Sequence, residues 1–107
     1  AIRIVKMCKY LQEEKREYII TKQIFRSATS IGANLKEAIY AQSDKDYLHK
    51  MYIALKESAE TEYWLELLKE TDYIQEEIFQ SLHKDNEEII KILTATTKTL
   101  KNKISNK

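Results

Sequence analysis

The sequence predicts an all-α domain, four helices folded back on one another as an antiparallel bundle, and three observations carry that prediction. There is no Pro and a single Gly, Gly32, so the usual helix breakers are missing from a chain made largely of Leu, Lys, Glu, Ile and Ala. Apolar residues recur three and four positions apart through most of its length. Polar breaks interrupt the pattern at three places, and links this short set consecutive helices antiparallel as neighbours.

The first helix is expected over Ile2 to Glu14, where Ile4, Val5, Cys8 and Leu11 share a face before the polar cluster Glu13 to Arg16. The second is expected from Glu17 to Tyr40, with Ile20, Ile24, Ala28, Ile31, Leu35 and Ile39 as one continuous apolar face. After a turn near Ala41 to Ser43, Ser43 is placed to cap the third helix, and Asp44 and Asp46 suit its positive end. That helix runs to about Glu70 on a stripe of Tyr47, Leu48, Met51, Leu55, Ser58, Glu62, Leu65 and Leu68. Thr71-Asp72-Tyr73 breaks the pattern, with Asp72 and Gln75 spaced as a capping pair. The last helix carries Ile78, Leu82, Ile89, Leu93, Thr96, Leu100 and Ile104 and is expected to fray near its end.

A chain of 107 residues with 43% hydrophobic content supports one core and no second domain, and no linker rich in Pro, Gly or Ser divides it. Its 18 basic and 17 acidic side chains leave a formal charge of +1, unlike the strongly basic balance of a dedicated nucleic-acid binder. The charge is nevertheless polarised. From Lys91 onward come Lys91, Lys98, Lys101, Lys103 and Lys107 with no acid, whereas the third helix holds seven acids against four lysines. Apolar runs are far shorter than the roughly 20 residues of a membrane span, and the lone Cys8 fits a reducing compartment, so a soluble cytoplasmic protein is expected. The helical pattern starts at Ala1, and a few upstream residues including an initiator Met are expected.

No enzymatic constellation is legible. A carboxylate-bridged metal site in a bundle needs Glu-x-x-His motifs on two helices, and the chain offers only Asp46-x-x-His49 and a Gln80 three residues before His83, so neither metal nor cofactor is expected. Cys8 lies on an apolar stripe without a base to activate it, and one Gly cannot build a phosphate-cradling loop.

The most unusual stretch is Phe25 to Ala38, in which six of fourteen residues are Ala, Ser or Gly. A mid-helix Gly disfavours the helix by about 1 kcal/mol relative to Ala, and close approach of a neighbouring helix is the expected compensation at Gly32. Arg26 and Asn34 sit at the margin of the apolar face, and Glu62 falls inside the stripe of the third helix. Folding the two helices together about residue 42 brings Arg26 to the level of Ser58, so an ion pair between Arg26 and Glu62 is expected, within or between chains. Trp64 lies off the main stripe beside Tyr63, among Glu60, Glu62 and Glu66, which suits a protein interface better than a base-stacking platform. The lysine-rich end reads either as a solvated helix terminus or as a contact for nucleic-acid phosphates through Lys91, Lys98, Lys101 and Lys103.

Arg26 through Glu37, R-S-A-T-S-I-G-A-N-L-K-E, resembles the hallmark segment of a bacterial four-helix-bundle family, the S23 ribosomal protein or 23S rRNA intervening-sequence protein family. Ala59-Glu60-Thr61-Glu62-Tyr63-Trp64-Leu65 and the following Thr71-Asp72-Tyr73 are similar to its second block. The chain departs from the usual family residues at Lys36-Glu37-Ala38 and at Lys56-Glu57. The resemblance implies a left-handed up-down bundle that assembles into a ring, typically a pentamer, with a role near RNA. Arg26, Gly32, Asn34, Glu37, Glu60, Glu62 and Trp64 are then the motif and interface residues. The expected function is that of a non-enzymatic oligomer that contacts RNA through basic helix ends, with a scaffold ring that binds another protein as the alternative. Neither a membrane nor a small-molecule substrate is expected as a partner.

Overall fold

Ile4, Cys8 and Leu11 return to one side of a helix because steps of three and four residues complete roughly one turn, and all three are buried. The computed structural model describes residues 1–106; Lys107, the last of the lysines named above, lies outside the described residues. Among the described residues the fold consists of four helices: α1 (Ile2–Glu14), α2 (Ile19–Ala38), α3 (Asp44–Glu70) and α4 (Glu76–Ser105). No helix among the described residues is long and apolar enough to cross a membrane.

The first link is built by Arg16 and Glu17. Arg16 adopts a left-handed φ of 53°, which turns the chain and lets the Lys15 and Glu17 N–H groups both donate to the Leu11 carbonyl at 3.1 Å. Glu17 is not the first helical residue that the spacing suggests. Its side chain folds over the start of α2 and accepts from the N–H groups of Ile19 and Ile20 at 3.1 Å and of Thr21 at 2.8 Å. These are donors that a helix start leaves without intrahelical partners, and the carboxylate also meets the positive end of the helix dipole.

At its other end α2 stops at Ala38, so Ile39 and Tyr40 lie beyond it and are 71% and 75% exposed. Ile39 therefore does not continue the apolar face. Ser43 caps α3 as expected, accepting from the Asp46 N–H at 3.1 Å. The turn after α3 differs from expectation. Asp72 does not pair with Gln75; it takes a left-handed φ of 65° and closes α3 with two reversed bonds, Asp72 N–H to the Lys69 carbonyl at 3.0 Å and Tyr73 N–H to the Leu68 carbonyl at 2.9 Å.

Cross-helix partners run in opposite senses along the sequence, which makes the neighbours antiparallel. Ser27 meets Thr61 while Glu37 meets Lys50, and on the next pair Lys69 meets Glu76 while Lys103 meets Asp44. Because α3 packs against both α2 and α4, its buried line is Met51, Ala54, Ser58, Thr61, Leu65 and Leu68. Small residues occupy its centre, and Leu55 and Glu62 move to the margin. A similar rotation in α4 buries Phe79, Leu82, Asn86, Leu93 and Thr97 and leaves Ile78 exposed.

The buried hydroxyls bind one another or their own helices: Ser27 Oγ lies 2.8 Å from Thr61 Oγ1, and Ser58 donates to the Ala54 carbonyl at 2.8 Å. Asn86 ties α4 to α3 by donating to the Ser58 carbonyl at 2.9 Å. With every buried polar side-chain atom among the described residues partnered, the close approach of these helices carries no desolvation penalty from orphaned groups.

At 13 residues α1 is about 20 Å long, against an overall length of 53 Å. It therefore covers only one end of the bundle. There Ile4, Cys8 and Leu11 join Ile24, Leu65, Leu68, Phe79 and Leu82 in a four-helix core. In the other half Ile31, Met51, Ala54 and Leu93 form a smaller core from α2, α3 and α4 alone.

Candidate functional site

The hallmark segment on α2 faces α3 through Arg26. Its Nη1 donates to Glu57 at 3.1 Å, and its Nη2 makes a short bond to Glu60. Glu60 also accepts from the Trp64 indole N–H at 3.3 Å. Arg26 therefore does not pair with Glu62 within the chain. Residues 57 and 60 are three apart and share a side of α3, whereas residue 62 lies about 200° around the helix from 60. The Arg26 bond holds the Glu60 carboxyl below the usual carboxylate range, with the Trp64 N–H adding to the effect against partial desolvation. The same bond raises Arg26 in turn. With the guanidinium half exposed, the fork orients Trp64 and joins two helices more than it stabilises them.

Gly32 is exposed, and a Cβ built on it would meet nothing within 4 Å. The close approach expected there is supplied by other small residues of the segment, Ser27, Ala28 and Ala38, which are buried. Gly32 instead forms part of the wall of a mainly apolar groove of about 470 Å³, with Ile2, Ala28, Ile31, Leu35 and Ile89. Asn34 is buried and donates to the Ser30 carbonyl of its own helix at 2.9 Å. Glu37 is exposed and lies 3.6 Å from the Lys50 ammonium.

Glu62 faces α4, where its carboxylate lies 3.4 Å from His83 Nε2. Glu66, one turn on, joins them, and the three side chains place one ligand atom each within 4.8 Å of one another. Sequence spacing missed this group because it tests His83 against Gln80 on the same helix, and Gln80 turns away to donate to Glu76 at 2.7 Å. The signal that was available is Glu62 and Glu66 at i and i+4, read across the α3/α4 register. His49 is exposed.

Of the lysines, Lys91 reaches Glu87 at 3.8 Å and Lys103 reaches Asp44 at 3.9 Å. Lys98 and Lys101 are exposed and form no ion pair among the described residues. Of the acid-free stretch, Lys103 thus faces the acidic start of α3 across the interhelical seam.

Cys8 lies 2% exposed, and its thiol donates to the Thr21 carbonyl at 3.6 Å. Burial, reinforced by the nearby Glu17 carboxylate, pushes the thiol up to about 11. The folded state keeps this proton where the unfolded state has already lost it. The associated stability is complete below the unfolded thiol's value and is lost as pH rises through the folded one. Urea unfolding of the wild type should therefore lose about 2 kcal/mol more between pH 9 and pH 11 than unfolding of Cys8→Ala.

These features define a class: a small helical bundle whose buried polar groups join helix to helix, and whose motif side chains lie partly on its surface and partly against its core, Asn34 buried and Trp64 half-buried. The 23S rRNA-intervening sequence protein family matches residues 1–95, and the chain belongs to it. A crystal structure from Bacteroides thetaiotaomicron, of a protein of unknown function from the S23 ribosomal protein family, is similar at 52% identity and a TM-score of 0.89, over 91% of this chain and 90% of that one. No curated protein matches the chain.

Proposed function

We propose that the protein is a non-enzymatic cytoplasmic bundle that assembles with copies of itself, as the pentameric ring that the family resemblance implies, and contacts RNA through the lysine-bearing end of α4. The observation that carries the assembly is the exposure of large apolar side chains at both ends of α2, with Ile19 at 79%, Tyr40 at 75% and Ile39 at 71%. Side chains of this size left in water favour burial against a partner surface. The RNA contact rests on Lys98 and Lys101, which no carboxylate neutralises among the described residues; the family's description names an intervening sequence of 23S rRNA, not a bound RNA. Repetition around a ring multiplies weak phosphate contacts.

Light scattering after size exclusion, with and without a short structured RNA at low and high salt, tests both parts. A multi-subunit mass and RNA retention at low salt alone are expected. Replacing Lys98, Lys101 and Lys103 together with Glu should leave the mass unchanged and weaken RNA binding at least about tenfold. A monomer would overturn the assembly, and a ring indifferent to RNA would transfer the reading to a scaffold for another protein.

A further inference from the structure

We propose that Glu62, Glu66 and His83 form a binding site for one divalent transition-metal ion of the Zn²⁺ type, linking α3 to α4. One imidazole nitrogen and two carboxylates from two antiparallel helices already converge, each offering a ligand atom within 4.8 Å of the others.

The contact between His83 Nε2 and Glu62 is 3.4 Å long, beyond the roughly 2.7–3.2 Å of a good N–H···O bond. It is instead close to the edge of a tetrahedron: ligands about 2.0–2.2 Å from zinc stand roughly 3.3–3.6 Å apart. Glu66 needs only a rotamer adjustment of an exposed, flexible stem to close a third corner, and the fourth opens to water.

Three further features support the assignment. Phe79 stacks on the imidazole at 5.1 Å and 30°, and Glu87 lies 3.8 Å from Nδ1, on the side away from Glu62. At 3.8 Å Glu87 makes no hydrogen bond to the ring; closing to bonding distance, a carboxylate behind a ligating histidine fixes the ring and raises its basicity. Glu62 and Glu66 also stand at i and i+4, a like-charge spacing that disfavours a helix. Lys91 approaches Glu87, but neither Glu62 nor Glu66 has a Lys or Arg partner among the described residues. A divalent cation resolves that repulsion, and the imidazole selects Zn²⁺ or Co²⁺ over Mg²⁺ and Ca²⁺.

The experiment uses the whole chain, free of any purification tag and stripped with a chelator, titrated with Zn²⁺ by calorimetry and with Co²⁺ by visible absorption. One ion per chain, a d–d spectrum of low-coordinate Co²⁺, and no competition from millimolar Mg²⁺ are expected. His83→Ala, Glu62→Gln and Glu66→Gln should each weaken binding at least tenfold and Glu87→Gln by about tenfold, while His49→Ala leaves it unchanged. Circular dichroism of each variant confirms that helix content is kept, and the Gln variants preserve side-chain volume. Absence of Zn²⁺ binding by the wild type, or binding that follows His49 and ignores His83 and Glu62, overturns the proposal.

Discussion

Leu65→Ala is expected to destabilise the protein by about 3–4 kcal/mol, and Leu93→Ala by distinctly less, about 2 kcal/mol. Both leucines are at most 3% exposed, so area removed from water does not separate them. The surroundings do. Leu65 belongs to the half of the bundle where all four helices contribute, among Leu11, Ile24, Leu68 and Phe79. Neighbours fixed on every side cannot close over the space left by a leucine, and the cavity adds to the lost transfer energy. Leu93 lies in the three-helix half, where Leu35, Tyr47 and Ile89 are only partly buried and free to shift inward. Urea unfolding at one fixed protein concentration measures both, since assembly would make the midpoint depend on concentration. Equal losses would show that the two halves pack with the same rigidity.

Helix number, the three breaks and the Ser43 cap were legible because each is set by residues within a turn of one another. The rotation of α3 and α4 was not. Ala54, Ser58 and Thr61 are fully buried, yet they add almost nothing to a hydrophobic pattern, so the stripe read from the larger Leu55 and Glu62 fell to one side. The same rotation explains Arg26. The level beside Ser58 was foreseen, and Glu57 and Glu60 flank that level, but choosing between them and Glu62 requires knowing which side of α3 turns to α2. The cluster of Glu62, Glu66 and His83 needs the α3/α4 register as well. Gly32 shows the opposite error: an unusual residue invites a packing explanation, and here its surroundings are open. The proposed assembly and RNA contact depend on surfaces, for which periodicity holds little information beyond which side chains are left outside.

Glu17→Ala is the polar substitution with the largest expected effect, a loss of about 2–3 kcal/mol. Sequence rules look for Ser, Thr, Asp or Asn at a helix start, and a Glu in this place reads as an ordinary first-turn residue. In the structure it is 7% exposed, and its two oxygens take the N–H groups of Ile19, Ile20 and Thr21. Its own carbonyl meanwhile accepts from the Thr21 hydroxyl at 2.8 Å. Truncation leaves three donors to find water beside a turn that Arg16 already holds at positive φ, and it removes a negative charge from the positive end of α2. Glu17→Gln removes the charge and also one of the two accepting oxygens, since the amide NH2 takes the place of an acceptor that now serves either Ile19 and Ile20 or Thr21. Gln should therefore recover less than half of the loss. Amide exchange at residues 19, 20 and 21 locates the effect: protection should fall there first, and a uniform fall along α2 would mean that Glu17 acts through the fold as a whole and not as the cap of this helix.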